Sequence, residues 1–219
     1  MTPDYDRAAC AAMQILIDHG ITATPIVPLP FLLRMPGVRV ISFARMANEA
    51  STEREELIPL FVANQDAATF RLGMEIDDVE YVVVYNARLP FEIVWRAVAR
   101  ELGHIVLGHD GVTRPYEVRR AEAMCFAHHL LSPRPILQML RQAGMLTMDA
   151  LSDTTGCVDE CVYDMQRIPG AHVPAEINRQ VRDLFAQGIG EYIRFHSAVP
   201  HSDRSPVLDL GTFMDGYEE

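Results

Sequence analysis

The sequence predicts an α+β domain, a group of helices built on a small β-sheet, with a small helical appendage after it. Three observations carry this. Glu80-Tyr-Val-Val-Val-Tyr85 is a continuous β-branched and aromatic run, the pattern of a central strand buried on both faces. Residues 92–108 and 116–131 repeat apolar positions at helical spacing. Beyond Ser132-Pro-Arg-Pro135 the text divides into short helical pieces separated by glycine and proline.

Taken in order, Asp4 to His19 places Ala8, Ala11, Ala12, Ile15 and Leu16 at helical intervals, and Gly20 stops that helix. Ile21 to Pro36 contains Pro25, Pro28, Pro30 and Pro36, which predicts an extended crossing rather than a helix. Gly37 to Phe43 alternates as a strand. Met46 to Glu55 fits a short helix or a loop equally well. Leu57 to Asn64 and Ala67 to Leu72 carry strand-forming residues, and Asp77-Asp78 marks a turn before the central run. After helix 116–131, pieces at 135–143 and 147–152 are split by Gly144, and a third spans 160–165. Pro174 to Phe195 is amphipathic, with Ile177, Val181, Leu184 and Phe185 on one side. Ser197 to Glu219, rich in proline, glycine and acids, is expected to lack fixed structure. The expected division is therefore 1–135, 136–196 and an acidic tail at 197–219. There is no internal repeat.

The 219 residues are 49% hydrophobic, enough for one good core. The chain opens on acids, not on a basic-then-apolar leader, and no run approaches the roughly 18 apolar residues of a membrane span, so no membrane association is expected and the chain reads as cytoplasmic. A formal net charge of −11, with Arg119-Arg120 as one local basic pair, argues against nucleic acid as a direct partner. Cys10, Cys125, Cys157 and Cys161 are too scattered for a disulfide framework. Cys157 and Cys161, four apart, are compatible with a metal or redox pair, and read more simply as packing positions.

The chemistry concentrates in Trp95 to His109, at whose centre stands Arg100-Glu-Leu-Gly-His104. This is one residue from HExxH, in which two histidines four apart share a helix face and grip zinc while the glutamate activates a bound water. Glu101 and His104 occupy the positions of that base and of the second ligand. Arg100 stands where the first ligand should be, and a guanidinium has no lone pair to give. A strand preceding such a helix would let an extended peptide add beside it.

The text Glu122-Ala-Met-Cys-Phe-Ala-His-His-Leu-Leu-Ser-Pro133 supplies a second signature. Together with Ala99, Glu101 to His104, Leu107 and His109, the positions Ala123, Phe126, Ala127, Leu130, Leu131 and Pro133 resemble the ImmA/IrrE family of metallopeptidase-like proteins, over residues 1 to about 167. The resemblance implies a zincin-like core and, across 147–165, a helix-turn-helix-like pair packed back on it, in which Cys157 and Cys161 are packing positions. It also implies a zinc endopeptidase acting on a repressor-type protein, with Glu101 as general base and His104 as a ligand. Carried across position by position, the first ligand falls at Arg100 and the third at Arg120, so two of three are arginines, and the family's Asn or Asp is Met124.

Glu122, Glu117, His109, His128 and His129 are the neighbouring residues that could substitute as ligands, Glu122 through a slight change of register. Arg100 is alternatively expected to fill the electrostatic role of the metal by pairing with Glu101 and with Glu117 or Glu122. Two readings follow. In one, the chain is a regulatory pseudopeptidase that binds a protein partner, such as a transcriptional repressor, with no metal. In the other, it is an active zinc endopeptidase in which His104 is joined by a substitute ligand such as Glu122 or a nearby histidine. Small-molecule sensing is a third, lesser reading.

Overall fold

The computed structural model describes residues 1–49, 66–76, 79–109, 114–197 and 207–214. Helix α1 (Tyr5–Asp18) opens on Asp4, whose carboxylate accepts from the Arg7 amide at 3.0 Å and so satisfies one of the orphan donors of the first turn. It buries Ala8, Ala9, Ala12, Met13 and Leu16, a stripe narrow enough for close helix contact.

The proline-broken segment is a correction to expectation, because it contains a six-residue helix, α2 (Leu29–Arg34). Pro30 lies within its first two positions, where the missing N–H would have had no intrahelical partner. Strand β1 (Val38–Ser42) follows, then α3 (Phe43–Glu49), which resolves the start of the ambiguous 46–55 stretch as helix. The strand expected over 57–64 and the turn at Asp77-Asp78 lie outside the described residues.

Strands β2 (Ala67–Ile76) and β3 (Val79–Tyr85) complete a three-stranded mixed sheet in the order β1-β3-β2. β3 is central as expected. It pairs parallel with β1, Val40 opposite Val83, and antiparallel with β2, Thr69 opposite Val83. Alternation sends Val83 into the main core, while Val84 packs with Ile41 and Phe43 on the other face. The architecture is thus α+β with a small sheet.

Helix α4 (Phe91–Val106) packs against β2, β3 and α5 (Tyr116–Leu131), and α5 also packs against α1. Then come α6 (Arg134–Gln142), α7 (Met148–Thr155), α8 (Asp159–Met165) and α9 (Ala175–His196). α9 buries Val181 and Phe185, with Ile177 and Leu184 half-buried against the core, so the expected face is the packed one. α9 packs on α6 and α1. One hydrophobic core runs from Ala8 through Phe126 and Leu151 to Phe213, across the expected boundary at 135/136.

The expected lack of structure over 197–219 is corrected for 207–214. There Leu210, Phe213 and Met214 are buried, and the Leu208 amide donates to the Leu146 carbonyl at 2.7 Å. Phe213 lies edge-on or tilted against His128 and His129 and beneath the Arg134 guanidinium. Apolar side chains three residues apart were the signal for this docking. The rest of the tail, 198–206 and 215–219, lies outside the described residues. No helix among the described residues is long and apolar enough to cross a membrane.

Candidate functional site

The site is built on α4 and its contact with α5. Gly103 lets the two helices meet: a Cβ there would lie 2.9 Å from Phe126 Cδ1 and 3.2 Å from the Ala123 carbonyl. The glycine of the first signature thus touches two residues of the second. At its end, α4 closes with Gly108 at φ +64°, the Gly108 amide donating to Ile105 and the His109 amide to His104. This left-handed turn caps the last carbonyls and folds His109 back over His104. Arg7 and Arg119 donate to two more carbonyls at this helix end, those of Leu107 and His109, each at 2.8 Å.

A cleft of about 670 Å³ opens along this face. One wall is β2, from Asp66 to Thr69; the floor is Arg100, Glu101, His104 and Ile105 of α4; the other wall is Tyr116, Arg119 and Arg120 of α5. The structure therefore brings five of the sequence-predicted residues, Arg100, Glu101, His104, His109 and Arg120, to one cavity. Arg100 lies on its neighbour, with Nε and Nη2 both donating to Glu101 Oε1 at 3.1 and 2.9 Å, and Nη2 also reaching the Ala67 carbonyl at 3.2 Å. Thr69 donates its hydroxyl to Glu101 Oε2 at 2.8 Å. Both oxygens of the expected base are occupied, and Glu101 is only 5% exposed.

Glu122 does not join them. It is 1% exposed and accepts from the Asp4 amide at 2.8 Å, from Arg114 at 2.7 Å and from His109 Nε2 at 2.8 Å. Its carboxylate can only accept, so His109 Nε2 carries a proton and His109 Nδ1 offers a lone pair to the His104 Nδ1–H at 3.1 Å. His104 Nε2 is then the free acceptor of the pair. Burial pushes the His104 pKa down to about 4, with His109, Arg100 and Arg119 adding to the effect. His109 is lowered too, by burial, against an opposing pull from Glu122. Burial therefore favours the neutral form of both rings.

The other candidate ligands are elsewhere. Glu117 is exposed and outside the cleft lining. His128 is buried 3.9 Å from Asp164. His129 is fully buried, donates Nδ1–H to the Cys125 carbonyl at 2.9 Å and has its pKa pushed down to about 3 by burial, with Arg134 adding to it. Cys157 and Cys161 are free, buried thiols beside Trp95, as packing positions would be. Sequence reasoning did not single out Thr69 or Arg114, and read Arg119 only as half of a local basic pair. Thr69 and Arg71, polar residues two apart among apolar neighbours in β2, were the available signal for Thr69.

These residues do not fit zinc. The first ligand position that the resemblance implies holds a cation turned onto the neighbouring carboxylate, Glu122 spends its oxygens on three donors, and among the described residues His104 has no second donor opposite its Nε2. Among the described residues no group of three His, Cys, Asp or Glu is placed to hold a metal ion. Comparison with protein-family models, curated proteins and solved structures finds no match to this chain.

Proposed function

We propose that this chain is an ImmA/IrrE-type, zincin-like pseudopeptidase that binds a peptide or protein segment in the α4 cleft without cutting it. The observation that carries the reading is the Arg100 guanidinium on the Glu101 carboxylate. The buried Glu101 carboxylate needs a cation, and the guanidinium supplies one positive charge while giving no Lewis acid to activate water. With Thr69 on its other oxygen, both Glu101 oxygens already accept hydrogen bonds, which makes the carboxylate a weaker base toward water. Contact between Gly103 and Phe126, each from a different signature, supports the family reading, as does a strand edge alongside the helix. Within the same reading, 147–165 is the helix-turn-helix-like pair and the partner is a protein of the repressor type.

The test is zinc stoichiometry by elemental analysis, on protein purified without chelator or affinity metal and again after zinc loading and dialysis. Wild type is expected to hold none, and near-stoichiometric zinc would sink the reading in favour of a working endopeptidase. The double variant Arg100→His with Arg120→Glu is expected to gain about one zinc, because the free Nε2 of His104 would then have two companions. A folded, metal-free double variant would show the ligand positions to be wrongly carried across.

A further inference from the structure

The cleft carries more positive charge than its own acids meet. Arg71 is held by Glu80 and Arg100 by Glu101, each at 2.9 Å. Arg119 gives Nη1 to an uncharged carbonyl, and its Nε is buried with no hydrogen-bond partner among the described residues. Arg120 is exposed on the same wall; its charge reaches Asp164, whose pKa it helps to lower, but it forms no hydrogen bond or ion pair among the described residues. The remaining acid of the lining, Asp66, belongs to the β2 wall.

β2 is also an edge strand, with β3 as its one partner among the described residues. An edge offers a row of backbone donors and acceptors to an extended chain, and a guanidinium pair offers a forked site for a carboxylate.

Resting on the reading above, we propose that the segment held in this cleft is an extended acidic peptide, with an aspartate or glutamate side chain seated on Arg119 and Arg120 while its backbone follows β2. A chain lying along an edge runs on past the cleft in both directions, so it presents a side chain there rather than a terminus. Screening of partners then comes from charge: a neutral or basic segment would leave the two guanidiniums unmet and add like-charge repulsion.

The experiment pans full-length protein against a displayed library of random octapeptides. Selected sequences are resynthesised with each acid changed to its amide and with free or amidated C-termini. Fluorescence polarisation then reads affinity for wild type, Arg120→Gln and Arg119→Lys. The expected result is an acid at one recurrent position, a loss of at least tenfold on converting that acid to its amide, and the same loss in Arg120→Gln, whose affinity for the amide peptide is unchanged. Since Arg120 is exposed, that variant is expected to fold, and circular dichroism checks it. Peptides that bind equally as amides, that depend only on a free C-terminus, or that ignore Arg120 would overturn the carboxylate proposal while leaving a peptide-holding groove intact. Cleavage of the bound peptides, or no selected peptide at all, would overturn both.

Discussion

Glu101 and Glu122 are both buried on the two helices of the site, yet their charges are met in different ways. Glu101 is neutralised locally, by the next residue in the chain and by Thr69 of the neighbouring strand. Glu122 is neutralised by pieces gathered from afar: the amide of Asp4, Arg114 from the loop, and His109 swung round by a helix-ending glycine. The first arrangement lies in the cleft and is partly open to water, with the Arg100 side chain 23% exposed. The second ties the N-terminus to α5 and is sealed, with Glu122 at 1%. A carboxylate of the same type thus acts as site chemistry in one place and as a structural tie in the other.

The largest effect should come from breaking the sealed side. Glu122→Ala removes the acceptor of three donors and leaves Arg114 and His109 without their partner, for an expected loss of about 3–4 kcal/mol of stability, read from urea denaturation. A loss below about 1 kcal/mol would mean that the network does not hold α1 to α5.

Acid should come next. His104 and His129 have folded pKa values of about 4 and about 3, below the ordinary 6.5, so the unfolded chain binds more protons between those values and 6.5. Their contribution is full above pH 6.5 and lost as pH falls toward the folded values, on the order of 3 kcal/mol for the pair by pH 5. Denaturation midpoints against pH should show this fall, and His104→Asn should remove about half of it. An unchanged slope in that variant would place the titration elsewhere.

The junction beneath both carboxylates is tested by Gly103→Ala. The added Cβ would press on Phe126 and the Ala123 backbone, so about 2 kcal/mol of destabilisation is expected as a lowered Tm. Last and smallest is Arg100→Ala. Water reaches the guanidinium and screens it, so stripping it from Glu101 should cost about 1 kcal/mol, less than a third of the Glu122 effect. Equal losses at the two sites would erase the contrast between them.

Legibility in the sequence followed the distance over which each feature is made. Helices 91–106 and 116–131 were readable because their apolar periodicity is local. So was the central strand, since a run of β-branched residues needs neighbours on both edges. Pairing of Arg100 with Glu101 was readable as well, both residues being adjacent and the helix directing them to one space. The Leu29–Arg34 helix was obscured because counting prolines ignores where each one falls in a turn. Docking of 207–214 was obscured because Leu210, Phe213 and Met214 stand among acids and prolines, and only the waiting core gives them a place.

By itself the sequence determined that the chain has an α+β pattern, that Arg100 and His104 stand four apart on one helix face, and that Glu101 lies beside a ready cation. These follow from residue chemistry and helical spacing, which act within a few positions. Only the tertiary structure decided that Glu122 turns to His109 and the Asp4 amide, 13 and 118 residues away, and not to the cleft. It alone set Arg119 and Arg120 along one wall of a cleft whose other wall is β2, an edge strand among the described residues. The physical reason is that a buried charge takes whichever donors packing brings within about 3 Å, and packing joins segments that the sequence keeps far apart.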